Sequence, residues 1–114
     1  MENCPFCRIA AGQAPARVLL ADDEAVAFHD LHPQAPVHLL VIPRRHLSSL
    51  DAAVESDCSL LGRLLLVAAE AARRTGLAAD GYRVVTNTGA RAGQSVFHIH
   101  LHVLGGRRLG WPPG

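Results

Sequence analysis

The chain has 114 residues, 49% of them hydrophobic and 18% charged, with a formal net charge of +1 when its seven histidines are neutral. That length and balance describe one globular domain over residues 1–114 and exclude a disordered chain. No run of like charge is present, so neither nucleic acid nor an anionic membrane surface is expected as a partner.

The opening "MENCPFC" lacks a basic segment and an apolar segment, so no secretory signal is expected. "CPFCRIAAG" reads as a short N-terminal helix that stops at Gly12. "ARVLLAD" and "EAVAFHD" read as two short strands around the turn residues Asp22 and Asp23, and "LHPQAP" as a loop. "VHLLVIP" is a buried strand ended by Pro43. A long helix follows over about Ser56 to Thr75, with Ser56 as its N-cap and Gly76 placed to end it. Its apolar face is predicted as Leu60, Leu61, Leu64, Leu65, Ala68, Ala71 and Ala72. Its most apolar window is broken by Arg63 and Glu70 and is too short to span a bilayer. "YRVVTNT" and "FHIHLHVL" are two further strands joined by the Gly-rich "GARAGQ". Five strands, hairpin connections and one long helix predict an α+β fold with a mostly antiparallel sheet.

A strand over residues 97–104 would put His98, His100 and His102 on one face and Ile99, Leu101 and Val103 on the other, in the core under the long helix. Three readings of the histidine face are open: a polar half-exposed surface, a zinc site, and imidazole catalysis. The preceding "NTGARAGQS" favours catalysis. Gly89 and Gly93 can turn backbone N–H groups toward an anion, and Gln94 and Ser95 add side-chain donors.

The cysteines are three in number, and Cys4 and Cys7 lie too close together for a disulfide framework; a reducing cytoplasm is the simpler setting. "CPFC" allows a redox dithiol or half a zinc site. A thioredoxin-like fold needs a strand before the motif, and only three residues precede Cys4. His46 and His98 are available to complete a zinc site. Cys58, on the long helix, reads as a buried small hydrophobe.

"HIHLHVLGG" resembles the signature of the histidine triad (HIT) family. With "AFHDLHPQAPVHLLVIPRRH", "GQSVFHIHLHVLGGR" and the terminal "WPPG", the chain resembles that family's Hint branch of purine nucleoside phosphoramidases. The resemblance implies a HIT fold and cleavage of the P–N bond of purine nucleoside 5′-phosphoramidates (AMP or GMP conjugates). His100 would be the nucleophile at the α-phosphorus, His102 a phosphate contact, His38 the residue that tunes the triad, and Ser95 the donor near the leaving group. Gln94 and Asn87 would contact phosphate and ribose, and Asp30 would accept from the ribose hydroxyls. Phe6, Ile9, Phe28 and Leu31 would wall the purine slot. The resemblance further implies a structural zinc on Cys4, Cys7, His46 and His98, no metal needed for catalysis, and a homodimer with paired long helices and one paired sheet edge. Each residue also has a plainer reading, Asp30 as a turn residue and His38 as a satisfied buried histidine. Two other functions stay open: hydrolysis of dinucleoside polyphosphates, and a non-catalytic nucleotide- or zinc-binding module.

Overall fold

The computed structural model describes residues 3–114, so the first two residues of "MENCPFC" lie outside it. Five strands form one antiparallel sheet: β1 (Val18–Ala21), β2 (Ala25–His29), β3 (Val37–Pro43), β4 (Tyr82–Val85) and β5 (Leu101–Gly105), in the spatial order β1-β2-β3-β5-β4. A short helix, α1 (Pro5–Ala10), lies near β3, and the long helix, α2 (Cys58–Arg74), covers the opposite face. This is the predicted α+β architecture of five strands, one long helix and a short N-terminal one.

Alternation along the strands decides what each sheet face carries. Ala25, Ala27, Leu39, Val41, Leu101 and Val103 pack with Leu64, Val67, Ala68, Ala71 and Ala72 of α2. Val26, Phe28, Leu40 and Ile42 point the other way and pack with Cys4, Phe6 and Ala10 of α1. The central strand β3 is therefore buried on both faces, as its uninterrupted apolar run predicts. Ile99, Leu101 and Val103 enter the core under α2 as expected.

The long helix differs from expectation at its start. Residues Glu55–Asp57 form a 3₁₀ turn, and Asp57, not Ser56, caps α2. The Asp57 carboxylate is held there by the Val54 N–H at 2.9 Å and by the Arg45 guanidinium. Its C-terminus closes as predicted: Gly76 adopts φ +79°, its N–H reaches the Arg73 carbonyl, and the Leu77 N–H reaches the Ala72 carbonyl. Leu65 stands in solvent and Val67 is buried in its stead. Cys58 is also exposed, because at about 100° per residue it falls on the side of α2 opposite the buried Leu60.

The histidine strand is shorter than predicted. β5 begins at Leu101, and residues 97–100 leave the ladder. β3 ends at Pro43, which has no N–H to offer a neighbour. The Ile99 N–H turns instead to the Leu47 carbonyl at 2.6 Å, on the segment beyond β3. Among the described residues, no helix is long and apolar enough to cross a membrane.

Candidate active site

Leaving the ladder gives the three histidines different surroundings. His98 is fully buried, His100 is 6% exposed, and only His102 is half-buried. The expected common face lining a cleft is therefore split, with His98 drawn beneath α1.

Hydrogen-bond partners assign the proton on each ring. His100 Nδ1 lies 2.7 Å from the His98 carbonyl, which can only accept, so Nδ1 carries the hydrogen and Nε2 keeps its lone pair. The Gln34 backbone N–H donates to His38 Nδ1 at 3.0 Å, so neutral His38 carries its hydrogen on Nε2. That nitrogen donates to His102 Nδ1 at 2.9 Å and lies 3.4 Å from Asp30 Oδ2. His102 is then left with its hydrogen on Nε2. The pair places a nucleophilic nitrogen on His100 next to a hydrogen-bond donor on His102, with ring centroids 5.0 Å apart.

Burial keeps His38 and His102 neutral. Burial lowers the His38 pKa against the opposing pull of Asp30. His102 is pushed down to about 4, first by burial and then by the neighbouring His100 and His38. A neutral His102 suits the assignment, since a protonated ring could not accept from His38.

His100 and His102 open into a cleft of about 340 Å³. Phe6, Ile9, Phe28 and Leu31 form its apolar walls, and Asp30 and Ser95 add polar groups at its edge. Phe6 lies between the two cysteines and meets Phe28 edge-on at 5.8 Å and His100 at 5.0 Å. Leu31 is 85% exposed and forms a rim. Asp30 Oδ1 accepts from the His32 N–H at 2.8 Å, closing a turn at the end of β2.

Two expectations about the glycine loop change. The Gly89 N–H is taken by Gln94 Oε1 at 2.8 Å, and the Gly93 N–H by the Ala90 carbonyl, so neither is turned outward to an anion. The Gln94 carboxamide is buried and donates to the carbonyls of Ser48 and Val96, so it braces the loop and does not face the cleft. Asn87 is half-buried, with its Nδ2 turned toward Gly93. Ser95 is exposed at the cleft.

His29 and His32 also line the cleft, one on each side of Asp30. Their sequence signal was their place around Asp30 at a strand end. The Gln34 N–H and the carbonyls of His98 and Pro43 had no signal at all, because any residue supplies those groups.

The cysteine pair meets the histidines as the zinc reading requires. His98 Nδ1 lies 3.3 Å from Cys4 Sγ, 3.4 Å from Cys7 Sγ and 3.2 Å from His46 Nδ1. Cys7 Sγ and His46 Nδ1 are 3.2 Å apart, and all four donors fall within 4.8 Å of one another. A tetrahedral zinc with two sulfur and two nitrogen ligands separates its donors by about 3.3–3.8 Å. His98 Nε2 donates to the Pro43 carbonyl at 2.8 Å, which leaves Nδ1 free as a ligand. The donor set, its size and the His98 tautomer fit such an ion. Asp30, His38 and His102 also converge, but the 2.9 Å contact between the two rings is a hydrogen bond.

The sequence profile of the HIT domain matches residues 11–109. An uncharacterized HIT-like protein of Synechocystis sp. is 50% identical over 113 residues, covering 99% of this chain and 98% of its own. The crystal structure of a HIT family hydrolase from Legionella pneumophila superposes with a TM-score of 0.96 at 47% identity, covering 98% of this chain and all of that one. A HIT family hydrolase from Clostridium thermocellum gives 0.94 at 40% identity, covering 96% of each chain. On sequence profile, identity along the whole chain and fold, the protein belongs to the HIT family.

Proposed function

We propose that the protein is a purine nucleoside phosphoramidase of the Hint branch, cleaving the P–N bond of adenosine or guanosine 5′-phosphoramidates. The observation that carries the reading is His100. Its Nδ1–H is held by a backbone carbonyl, and the ring borders an apolar cleft wide enough for a nucleoside.

His100 Nε2 attacks the α-phosphorus while the P–N bond to the leaving amine breaks. The Ser95 hydroxyl, at the cleft edge, donates to the departing nitrogen. His102 Nε2–H donates to a phosphate oxygen, where negative charge grows in the transition state. The His98 carbonyl stabilises the positive charge that develops on His100 as the nucleotidyl bond forms. Water then attacks the phosphorus, the bond to His100 breaks, and the nucleoside monophosphate leaves. Asp30 keeps lone pairs for the ribose hydroxyls, and Phe6, Ile9, Phe28 and Leu31 sandwich the base. Asn87 keeps its proposed contact to phosphate and ribose, while Gln94, committed to the loop, serves by shaping the segment that carries Ser95.

Cys4, Cys7, His46 and His98 would hold a structural zinc, which would supply a cross-link between α1 and the triad and no part in the reaction. A homodimer completes the reading: β4 is a sheet edge, and Leu65 and Leu66 of α2 are in solvent. A reducing cytoplasm suits free thiols.

The test is hydrolysis of an adenosine 5′-phosphoramidate against a diadenosine polyphosphate, with His100→Ala as control. Preferential release of AMP from the phosphoramidate, lost in His100→Ala, is expected. Activity surviving His100→Ala would overturn the mechanism, and equal rates on both substrates would overturn the branch.

A further inference from the structure

We propose that Arg107 is a positioning residue for the imidazole relay, acting through the main chain of the loop between β2 and β3. Its catalytic consequence rests on the reading of His102 as the phosphate donor.

The loop over residues 31–36 joins Asp30 to His38 and has one contact that sets chemistry. The Gln34 N–H donates to His38 Nδ1 and, with the Asp30 carboxylate 3.4 Å from Nε2, sets where the His38 proton sits. If residue 34 turned away, Nδ1 would be free to take the hydrogen, and Nε2 would become an acceptor facing His102 Nδ1. His102 would then have to carry its own hydrogen on Nδ1 to keep the 2.9 Å bond, and its Nε2 would lose the donor that meets phosphate.

Proline on both sides of the "QA" pair stiffens the loop but supplies no N–H that could anchor it. The anchor comes from the other end of the chain. Arg107 Nη2 donates to the Gln34 carbonyl at 2.9 Å, and Nη1 donates to the Arg108 carbonyl at 3.1 Å, which fixes the guanidinium plane. Residue 34 is thus held on both sides, by His38 at its N–H and by Arg107 at its carbonyl. The approach needs a tight turn after β5. Gly106 makes it at φ +92°, where an added Cβ would fall 2.9 Å from Pro36 Cβ. Arg107 is exposed and stands one loop away from the rings it orients.

The experiment has a readout that needs no substrate. Ring nitrogen NMR of ¹⁵N-histidine-labelled full-length protein reports which nitrogen of His38 and His102 carries hydrogen. The wild type is expected to show Nε2–H on both. Arg107→Ala is expected to show a mixture of tautomers at His38 and His102, a kcat on the phosphoramidate about 10-fold lower, and a KM within about 2-fold. Arg107→Lys, which can still donate to the Gln34 carbonyl, should recover most of both. Arg108→Ala, equal in charge change, should match the wild type. Unaltered histidine spectra in Arg107→Ala would overturn the proposal whatever the activity. Equal losses in Arg107→Ala and Arg108→Ala would also overturn it, by reducing the effect to charge. Altered spectra in a protein that is inactive on phosphoramidates would support the positioning and refute the substrate reading alone.

Discussion

Acid should loosen this fold through its histidines before its carboxylates. At pH 7, His102 is neutral both folded and unfolded. Below its ordinary 6.5 the unfolded chain takes up a proton that the folded ring refuses until about pH 4. Stability therefore falls as pH drops from 6.5 to 4, and this contribution levels off below 4. A displacement of that size is worth about 3 kcal/mol in a fully buried ring. His102 borders the open cleft, and solvent screening brings the figure to about 1–2 kcal/mol. His38, also lowered by burial, adds in the same direction over the window just below 6.5. The carboxylates of Asp22 and Asp57, held low by their hydrogen bonds and arginine partners, lose their contributions only below their ordinary 3.8. The two sources thus occupy separate pH windows. Urea midpoints measured from pH 7.5 to 4 on wild type and His102→Asn check this. Acid release of the proposed zinc would affect both proteins alike and cancel in the difference. The curves should converge as pH falls, by about 1–2 kcal/mol across the window. Curves that stay parallel between 6.5 and 4 would refute the argument that burial holds this ring neutral.

Two further predictions concern the N-terminal segment. Phe6→Ala removes a buried ring from the cluster with Phe28 and Ile42 and should cost about 3 kcal/mol, near the lower limit for such truncations because the cleft beside it is already open. It should lower Tm by roughly 12 °C and raise KM more than it lowers kcat; an unchanged melt would deny Phe6 its packing role. Cys7→Ser should remove zinc from the purified protein, as read by atomic absorption, and lower Tm by 10 °C or more, on the order of 2–3 kcal/mol. A metal-free wild type whose melt ignores a strong chelator would sink the zinc assignment.

Much of this architecture is legible residue by residue. The 2-residue period of "AVAF" and "HLHV" assigns sheet faces, and the helical spacing of Leu60, Leu64, Ala68 and Ala71 assigns the α2 face, because burial acts through exactly those periods of the backbone. The errors have local causes. Leu65 and Val67 exchange roles because an apolar stripe wider than the contact leaves one edge in water. The N-terminus of α2 moves to Asp57 because Arg45, twelve residues away, holds that carboxylate. The glycine loop keeps its N–H groups for itself because Gln94 reaches back across it.

By itself the sequence determined that three histidines alternate with core aliphatics, that two cysteines stand three apart, and that the chain carries the HIT pattern. What it could not determine is how the histidines divide the work. That division depends on main-chain groups brought near by folding: the Pro43 carbonyl leaves His98 Nδ1 facing the thiols, the His98 carbonyl leaves His100 Nε2 with its lone pair, and the Gln34 N–H sets His38 and through it His102. Each is a backbone donor or acceptor that every residue but proline possesses in full. Its partner is chosen by position in space, and tertiary structure alone supplies that position.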